Sequence, residues 1–413
     1  NNSEAAASKE KKTATSAKIS TSTASSSEPL AVAAAASNYN VKSSSRMRLS
    51  MVVVGNVDHG KSTLMGQLLV LSNKVTQRTC DYYKRRAADI GKSSFALAWI
   101  MDEDDAERQR GVTMDVAQKT MSLSQNSYDL YILDAPGHSD FVPQMITGAA
   151  LADVALLVYD IASSLNEKVI KEIVFITRGL GVSQLVVVIN KMDLIEWNSQ
   201  QYHAIIQKLQ PLLVGTTASY FQKQQQRYFQ KERVRYVPCS GWTGDNLVQK
   251  TTAAAASWYN DGITLVQALE TFKPPIQQRH VDKPLRFVII DVYQEGNKIS
   301  VRGKVVQGRI VTHDKVVVLP LGDVTTIFKI VHGDFEEYEA SDKVSVSAGD
   351  IVDIVLSDIS DISRISPGSI ICRHGDDGVV VPSQVAIANL VVMDNISAPI
   401  LRGTQVSFHM HSV

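Results

Sequence analysis

The chain has 413 residues, of which 44% are hydrophobic, so it is long enough to form two or three hydrophobic cores. Lysine plus arginine number 42, as do aspartate plus glutamate, and the formal net charge is therefore +0. A neutral chain disfavours a free-standing DNA-binding protein, which usually carries a basic excess, but local basic patches can still bind a large RNA surface.

The cysteines and the apolar runs indicate the cellular compartment. Cys80, Cys239 and Cys372 are far apart and odd in number, which favours ordinary buried thiols in a reducing interior over a disulfide scaffold. No apolar run is long enough to cross a bilayer. The stretch 30–36 resembles the core of a signal peptide, but it follows a long polar segment without a compact basic start. We therefore expect a cytoplasmic protein that binds neither membranes nor DNA.

Residues 1–47 are dominated by serine, alanine, threonine and lysine, with almost no large apolar side chains. A segment of this composition cannot bury enough apolar surface to offset the entropy cost of ordering it. We expect a disordered tail or linker that carries no chemistry.

Residues 48–275 alternate short apolar strands with helical patterns. The helical patterns cover 141–151 and 169–178. Apolar strands that alternate with helices predict an α/β domain with a parallel-type sheet flanked by helices on both faces. The predicted strands are 51–54, 130–133, 154–158, 185–189 and 234–237.

The first of these strands runs into a glycine-rich turn and then into a helix. The turn reads GNVDHGKS over residues 55–62, which matches the pattern G-x-x-x-x-G-K-S. Backbone N–H groups of such a turn surround phosphates, and the helix N-terminus adds a positive dipole end. Lys61 would place its charge on the β- and γ-phosphates, and the Ser62 hydroxyl would bind Mg²⁺. The candidate phosphate-binding residues are Asn56, Val57, Asp58, His59, Gly60, Lys61, Ser62 and Thr63.

A second motif, Asp134-Ala135-Pro136-Gly137, ends the next apolar strand. The pattern D-x-x-G is frequent by chance, but ligands of α/β sheets bind at the carboxyl ends of the strands. At that position Asp134 can hold Mg²⁺ through water, and the Gly137 amide can contact the γ-phosphate.

A third motif, Asn190-Lys191-Met192-Asp193, ends a further strand. The Asp193 carboxylate can accept two hydrogen bonds from the N1 and N2 donors of guanine, whereas adenine offers no such pair of donors. A dry site that leaves this carboxylate unpaired would reject ATP by roughly 10⁴-fold or more. Downstream, Ser240, Gly241 and Trp242 follow the strand 234–237 at a distance that would let them close over the base.

The three motifs occur in the correct order, each at the carboxyl end of a strand. Together they predict a P-loop GTPase domain over residues 48–275, which binds GTP with Mg²⁺ and hydrolyses it to GDP and phosphate.

After residue 275 the pattern changes to short strands with glycine turns and without helix-length periodicity. Strands such as 286–290, 315–319 and 350–355 predict a β-barrel or sandwich domain over residues 276–378. Residues 379–413 contain two further strand patterns, 384–392 and 405–411, which are too few to close a barrel. We expect the incomplete start of a second β-barrel there.

The three motifs, together with residues 102–115, resemble the elongation-factor-Tu/1-alpha superfamily of translational GTPases. In that family a threonine of the first switch binds Mg²⁺ only when GTP is present, and Thr113 stands at this position. The family's catalytic histidine follows the Asp-x-Pro-Gly element, where this chain has His138. The resemblance implies that Lys61 and His138 act in catalysis. It also implies that Mg²⁺ is held by Ser62, Thr113 and Asp134.

Within the superfamily, the stretch 110–116 (RGVTMDV) is most similar to the HBS family, the ribosome-rescue GTPases that partner Pelota. At the same position of the first switch, factor 1-alpha has Ile-Thr-Ile-Asp and the class-two release factor has Lys-Thr-Val-Glu. This chain has Val-Thr-Met-Asp over residues 112–115, and Met114-Asp115 favours the HBS family. The resemblance implies action on the ribosome, with delivery of a Pelota-type release-factor-like protein to stalled ribosomes in mRNA surveillance (no-go and non-stop decay). Exosome-associated factors are further candidate partners.

Two alternatives stay open. An aminoacyl-tRNA-delivering elongation factor or a release-factor GTPase would perform the same chemistry with a different cargo. A non-catalytic adaptor, similar to the superkiller-complex adaptor that bridges to the RNA exosome, would share the fold. The intact set of Lys61, Ser62, Thr113, Asp134 and His138 disfavours the adaptor.

Some residues near the motifs are expected to lack a chemical role. The side chain of His59 is not a group that phosphate binding requires, and we expect it to be exposed. Residues 102–105 are acidic, but a solvated loop is favoured over a metal site. The basic runs 84–86 and 227–235 are expected to be solvated faces, with a ribosomal RNA contact as the less favoured alternative. The segment 160–178 is several residues shorter than the family leads us to expect.

Overall fold

The computed structural model describes most of the chain from residue 47 onward. The described residues are 47–102, 116–123, 128–137, 142–214, 228–252, 254–259, 262–275, 280–295, 298–331, 344–357, 359, 361–375, 380–383 and 401–405. The predicted tail lies outside them apart from Met47, which begins the first strand. The strands predicted over 384–392 and 405–411 also lie outside them, apart from residue 405.

A six-stranded sheet forms the centre of the first domain, in the order β2-β3-β1-β4-β5-β6. Neighbouring strands pair in parallel, except that β2 is antiparallel to β3 at the sheet edge. The predicted parallel-type sheet is thus confirmed, whereas the sequence patterns did not reveal the antiparallel edge. The strands are β1 (Met47–Val54), β2 (Ala117–Ser122), β3 (Tyr128–Asp134), β4 (Val154–Asp160), β5 (Leu185–Asn190) and β6 (Val234–Pro238).

Helices cover both faces of this sheet, because successive strand residues point to opposite sides. Met51 and Val53 of β1 join the core beneath α1 and α6, whereas Val52 and Val54 join the core beneath α3, α4 and α5. Among the described helices, none is long and apolar enough to cross a bilayer. The helices are α1 (Lys61–Leu71), α2 (Gln77–Asp89), α3 (Val142–Leu151), α4 (Glu167–Gly179), α5 (Ser199–Val214) and α6 (Leu265–Glu270).

The second domain is a closed barrel of six strands, in the order β10-β11-β13-β8-β7-β14. The barrel closes because β10 pairs with β11 on one side and with β14 on the other. Its core is built from β-branched and aromatic side chains such as Phe287, Val301 and Ile354. The strands are β7 (Arg286–Glu295), β8 (Lys298–Gln307), β9 (Arg309–Val311), β10 (Lys315–Leu319), β11 (Asp323–Val331), β12 (Ser345–Ser347), β13 (Ile351–Leu356) and β14 (Ile370–Arg373).

The three cysteines, Cys80, Cys239 and Cys372, are free and buried, as the sequence indicated. Cys80 lies on α2, Cys239 follows β6 and Cys372 lies on β14. Burial raises the pKa of the Cys239 thiol well above its usual value, so this thiol stays protonated and unreactive.

Partly buried charged groups join the barrel to the first domain. The Lys304 ammonium of β8 donates to the backbone oxygen of Leu151, the last residue of α3, at 2.6 Å, and lies 3.4 Å from the Asp153 carboxylate. The same carboxylate accepts a hydrogen bond from the backbone N–H of Ser50 on β1 at 3.1 Å. A cation at a helix C-terminus is favourable, so Lys304 connects the barrel to α3 and, through Asp153, to β1.

We expect Lys304→Met to lower the stability of the protein by about 2 kcal/mol, because it removes the cation that faces the partly buried Asp153 carboxylate and the bond to the Leu151 backbone oxygen. The side chains of Lys304 and Asp153 are only 13% and 10% exposed. Urea unfolding followed by tryptophan fluorescence measures the effect. Lys171→Met is the matched control, since its pair with Glu167 is 40% and 60% exposed and should contribute less than about 0.5 kcal/mol. Equal losses in both variants would contradict a structural role for the partly buried Lys304–Asp153 pair.

Candidate nucleotide-binding site

A cavity of about 530 Å³ lies at the carboxyl edge of the six-stranded sheet. Most of the residues predicted to bind nucleotide line it: Val57, Asp58, Gly60, Lys61, Ser62, Thr63, Gly137, Asn190, Lys191, Asp193, Gly241 and Trp242. Asn56, His59, Asp134 and Ser240 are described but do not line it. The two remaining predicted residues, Thr113 and His138, lie outside the described residues.

The phosphate loop turns sharply before α1. Gly60 has a φ of 82°, a left-handed conformation that favours glycine, and α1 begins at the next residue. A Cβ on Gly60 would lie 2.7 Å from the side-chain nitrogen of Asn190, so the loop packs directly against the third motif. The first N–H groups of α1 have no partners within the helix and are therefore suited to bind an anion.

The Lys61 ammonium is buried at the start of α1 and donates to the backbone oxygen of Asn56 at 3.1 Å. Burial lowers the pKa of Lys61, while the nearby carboxylates of Asp134 and Asp58 raise it again. A buried cation of this kind is stabilised by an anion in the cavity that it lines, and a triphosphate supplies that anion.

Gly137 brings the second motif against the phosphate loop. A Cβ at this position would lie 2.3 Å from the Lys61 Nζ and 2.7 Å from the backbone oxygen of Gly55. Only a residue without a side chain fits there, so the backbone of Gly137 lies beside the cation that would meet the phosphates.

The donor set of the second motif fits the predicted Mg²⁺. Asp134 is fully buried and is close enough to Lys61 to raise the pKa of that lysine, while Ser62 lines the cavity. Carboxylate and hydroxyl oxygens are the hard ligands that Mg²⁺ prefers, and substrate phosphates and water complete its coordination. Within the described ranges, no group of three or more His, Cys, Asp or Glu side chains could hold a metal.

The third motif joins the loops around the cavity. The Asn190 side chain donates to the backbone oxygen of His59 and accepts from the backbone N–H of Gly241, both at 2.9 Å. Lys191 adopts a left-handed conformation, and its ammonium bonds the backbone oxygen of Asp58 and the Asp160 carboxylate, both at 2.7 Å. These bonds set the distance between the phosphate loop and the turn at residues 240–242, called the base-binding turn because the sequence predicts that it closes over the base.

Asp193 lines the cavity, and one of its carboxylate oxygens accepts no hydrogen bond from the described residues. Its Oδ1 atom is buried and has no hydrogen-bond partner among the described residues. A buried acceptor without a partner is costly, so the site favours a ligand that donates to it. The edge of guanine, with its N1 and N2 donors, satisfies this requirement.

Ser240 and Trp242 have different positions in the base-binding turn. Ser240 is buried, and its hydroxyl accepts from the backbone N–H of Thr243 at 3.2 Å, so it shapes the turn. Trp242 is 57% exposed and lies at the rim of the cavity.

The expectation that His59 is exposed is wrong. Its ring is 5% exposed, with Nδ1 lying 3.2 Å from the Val158 backbone oxygen and Nε2 lying 3.2 Å from the Ser163 hydroxyl. Burial lowers its pKa, so the ring is neutral near pH 7 and can donate from Nδ1 and accept at Nε2. His59 thus attaches the phosphate loop to β4 and to the turn that follows it. Both contact residues are about a hundred positions away, and no local pattern marks them.

The expectation of a solvated loop is also wrong for Asp102, which is 7% exposed and lines the cavity. The other residues of the stretch 102–105 lie outside the described residues. Ser94, Phe95 and Ala98 line the cavity as well and were not anticipated. Asp160, which holds Lys191, could have been found from sequence, because it ends β4 as Asp134 ends β3.

Comparison with known proteins agrees with this geometry. Residues 46–275, more than half of the chain, match the elongation factor Tu GTP-binding domain. Protein HBS1 of Drosophila melanogaster is 35% identical over 376 residues, which cover 89% of this chain and 52% of that protein. Elongation factor 1-alpha of Staphylothermus marinus is 38% identical over 317 residues, which cover 73% of this chain and 67% of that protein.

A solved structure has the same fold. The GTPase-like domain of Ski7 from S. cerevisiae, bound to GTP, aligns with a TM-score of 0.64 at 20% identity and covers 81% of this chain and 77% of that one. Sheet, cavity and barrel thus define a P-loop GTP-binding protein with an appended barrel. The chain belongs to the family of translational GTPases that share the elongation factor Tu GTP-binding domain. It spans about half the length of the HBS1 relative.

We expect His59→Ala to accelerate GDP dissociation roughly 5- to 30-fold, because it removes two hydrogen bonds worth about 1 kcal/mol each from the phosphate loop. Displacement of a fluorescent GDP analogue measures the rate. Ser163→Ala, which removes the Nε2 partner and the hydrogen bond from the same hydroxyl to the Asp160 backbone oxygen, should accelerate dissociation about fivefold. His203→Ala, at an exposed position on α5, is the control and should have no effect. An unchanged rate in His59→Ala would show that the loop holds its position without the ring.

Proposed function

We propose that this chain is a GTPase that acts on the ribosome, binding GTP with Mg²⁺ and hydrolysing it to GDP and phosphate. The observation that carries the proposal is the unpartnered Asp193 oxygen in a cavity that also contains the buried Lys61 ammonium. The carboxylate suits a guanine base and the ammonium suits phosphates. A guanine nucleotide presents both groups in one molecule.

The chemistry is an in-line attack of water on the γ-phosphate. The Lys61 ammonium neutralises charge that develops on the β- and γ-phosphate oxygens. Gly137 offers its backbone N–H beside the same phosphates. His138 orients the attacking water, a role taken from the family resemblance. Ser62 and Asp134, with Thr113 by the same resemblance, would hold Mg²⁺, which supplies further neutralisation of phosphate charge.

The hydrolysis step also acts as a switch. By the family resemblance, Thr113 would hold the metal in the GTP state, and Gly137 would contact the γ-phosphate. Loss of that phosphate would release both residues. Gly137 precedes α3, whose last residue accepts a hydrogen bond from Lys304 of the barrel. A displacement of Gly137 can therefore be transmitted through α3 and Lys304 to the barrel.

Asp193→Asn should move the preference of the protein from GTP toward xanthosine triphosphate. The amide replaces an acceptor oxygen with a donor, and xanthine carries an oxygen where guanine carries its N2 donor. Calorimetric titration of both nucleotides with Mg²⁺ present measures the change, which we expect to be roughly 100-fold or more in relative affinity. Asp245→Asn is the control; this carboxylate lies just after the base-binding turn and, among the described residues, bonds only Thr243. An unchanged preference would refute the assigned base pocket.

Hydrolysis by the chain alone should be slow, because no arginine finger is evident in the sequence, and ribosomes should stimulate it strongly by bringing His138 into position. His138→Ala should lower the ribosome-stimulated rate by roughly 10²-fold or more, while GDP affinity stays unchanged. Single-turnover hydrolysis with and without ribosomes measures both effects. Full-rate turnover without ribosomes would contradict the dependence on ribosomal activation.

We further propose that the cargo is a Pelota-type rescue factor, delivered in the cytoplasm to ribosomes stalled during no-go and non-stop decay. The similarity to Protein HBS1, which extends over 89% of this chain, supports this cargo. A pull-down with the GTP-loaded chain decides between cargoes. Capture of a Pelota-type protein supports rescue, capture of aminoacyl-tRNA indicates an elongation factor, and capture of a release factor indicates termination. Exosome capture without hydrolysis indicates the adaptor.

A further inference from the structure

A second cavity, of about 730 Å³, lies at the opposite edge of the six-stranded sheet from the nucleotide. Its walls come from three segments: residues 183–185 before and at the start of β5, residues 232–235 around the start of β6, and residues 271–275 after α6. Leu185 and Asn190 are the two ends of β5, so the cavities are separated by about 17 Å along that strand. We refer to this second cavity as the basic groove.

Cationic side chains dominate the basic groove. Arg233, Arg235 and Lys273 line it and are exposed, and Glu232 is the one acidic residue of its lining. Within the described part of the chain, none of these three cations forms an ion pair with a carboxylate. The chain as a whole is neutral, so this concentration of positive charge is local.

The cations of the basic groove also act on their surroundings. The guanidinium of Arg178 on neighbouring α4 has its pKa lowered, first by burial and then by the charge of Arg233. Like charges held close together raise the energy of the folded protein, and an anion bound beside Arg233 lowers that cost. The arrangement therefore favours occupancy by an anion.

Hydrogen bonds connect the wall segments of the basic groove and hold one of its cations. The Gln184 side chain donates to the backbone oxygen of Lys273 at 2.7 Å and accepts from its backbone N–H at 2.9 Å. One guanidinium nitrogen of Arg235 bonds the backbone oxygens of Glu232 and Val234 at 3.0 and 3.4 Å. Arg235 is thus positioned before any ligand arrives, which lowers the entropy cost of binding.

We propose that the basic groove binds the phosphate backbone of single-stranded RNA. The planar guanidinium matches phosphate geometry. The cations of the segments 232–235 and 271–275 can contact successive phosphates of one strand. A cavity of this size admits one strand, whereas an RNA duplex is too wide to enter it. The choice of RNA over an acidic peptide rests on the proposed action of the chain on the ribosome, where RNA is the abundant polyanion.

The test is fluorescence anisotropy of the full chain with a short fluorescein-labelled single-stranded RNA, titrated at several salt concentrations. The double variant Arg233→Gln/Lys273→Gln should bind roughly 10- to 30-fold more weakly near 0.1 M salt, because two phosphate contacts are lost. The slope of log affinity against log salt concentration should become shallower by about 1.4 for this variant, about 0.7 for each lost phosphate contact.

Lys84→Gln/Arg85→Gln on α2 is the matched control, since it also removes two exposed cations, from the other basic run of the sequence. It should leave RNA affinity within about threefold of wild type. Equal losses in the two double variants would overturn the proposal, because binding would then reflect overall charge. Unchanged binding in the groove variant would overturn it as well.

Two competitors identify the ligand. Unlabelled duplex RNA and a polyglutamate peptide of matched charge should displace the probe at least tenfold less well than unlabelled single-stranded RNA. Displacement by the peptide at equal or lower concentration would assign the groove to an acidic protein and refute RNA. GDP affinity, measured in parallel, should be unchanged in every variant. Absence of GDP binding in the wild type would refute the proposed GTPase function. The proposed RNA binding is tested separately, by the RNA affinity of the groove variants.

Discussion

The side-chain amide of Asn190 joins the two halves of the nucleotide cavity. Its nitrogen donates to the backbone of His59 in the phosphate loop, and its oxygen accepts from the backbone of Gly241 in the base-binding turn. Both bonds are buried, and breaking either would leave a polar group unsatisfied at a cost of about 1 to 3 kcal/mol. Together with the Lys191 and His59 contacts, this carboxamide holds the phosphate loop and the base-binding turn at a fixed separation. The strand order brings it between loops that are distant in sequence.

Much of this arrangement can be predicted from the amino-acid sequence alone. Fully apolar runs such as 185–189 predict buried parallel strands, and motifs that end such strands must meet at one edge of the sheet. The positions of Lys61, Gly137 and Asp193 around one cavity follow from that rule, as does the barrel from its short strands and glycine turns. Periodicity and strand ends are local properties, and local properties can be recognised without a structure.

The features that sequence analysis missed depend on partners far away in the chain. His59 is buried because Val158 and Ser163 lie against it. Neither residue belongs to a sequence pattern that would predict the contact. The burial of Asp102 likewise depends on tertiary packing around the cavity. The pairing of Lys304 with Leu151 joins two domains, so no periodicity within either domain could predict it. Buried polar contacts of this kind are specific to the assembled fold.

The burial of all three thiols has a practical consequence for observing this protein in motion. Maleimide dyes react with accessible thiolates, and Cys80, Cys239 and Cys372 offer none at the surface. New cysteines can therefore be introduced one on the sheet domain and one on the barrel without first removing the native ones. A dye pair attached in this way would report by energy transfer, molecule by molecule, whether the barrel changes its orientation when the nucleotide changes.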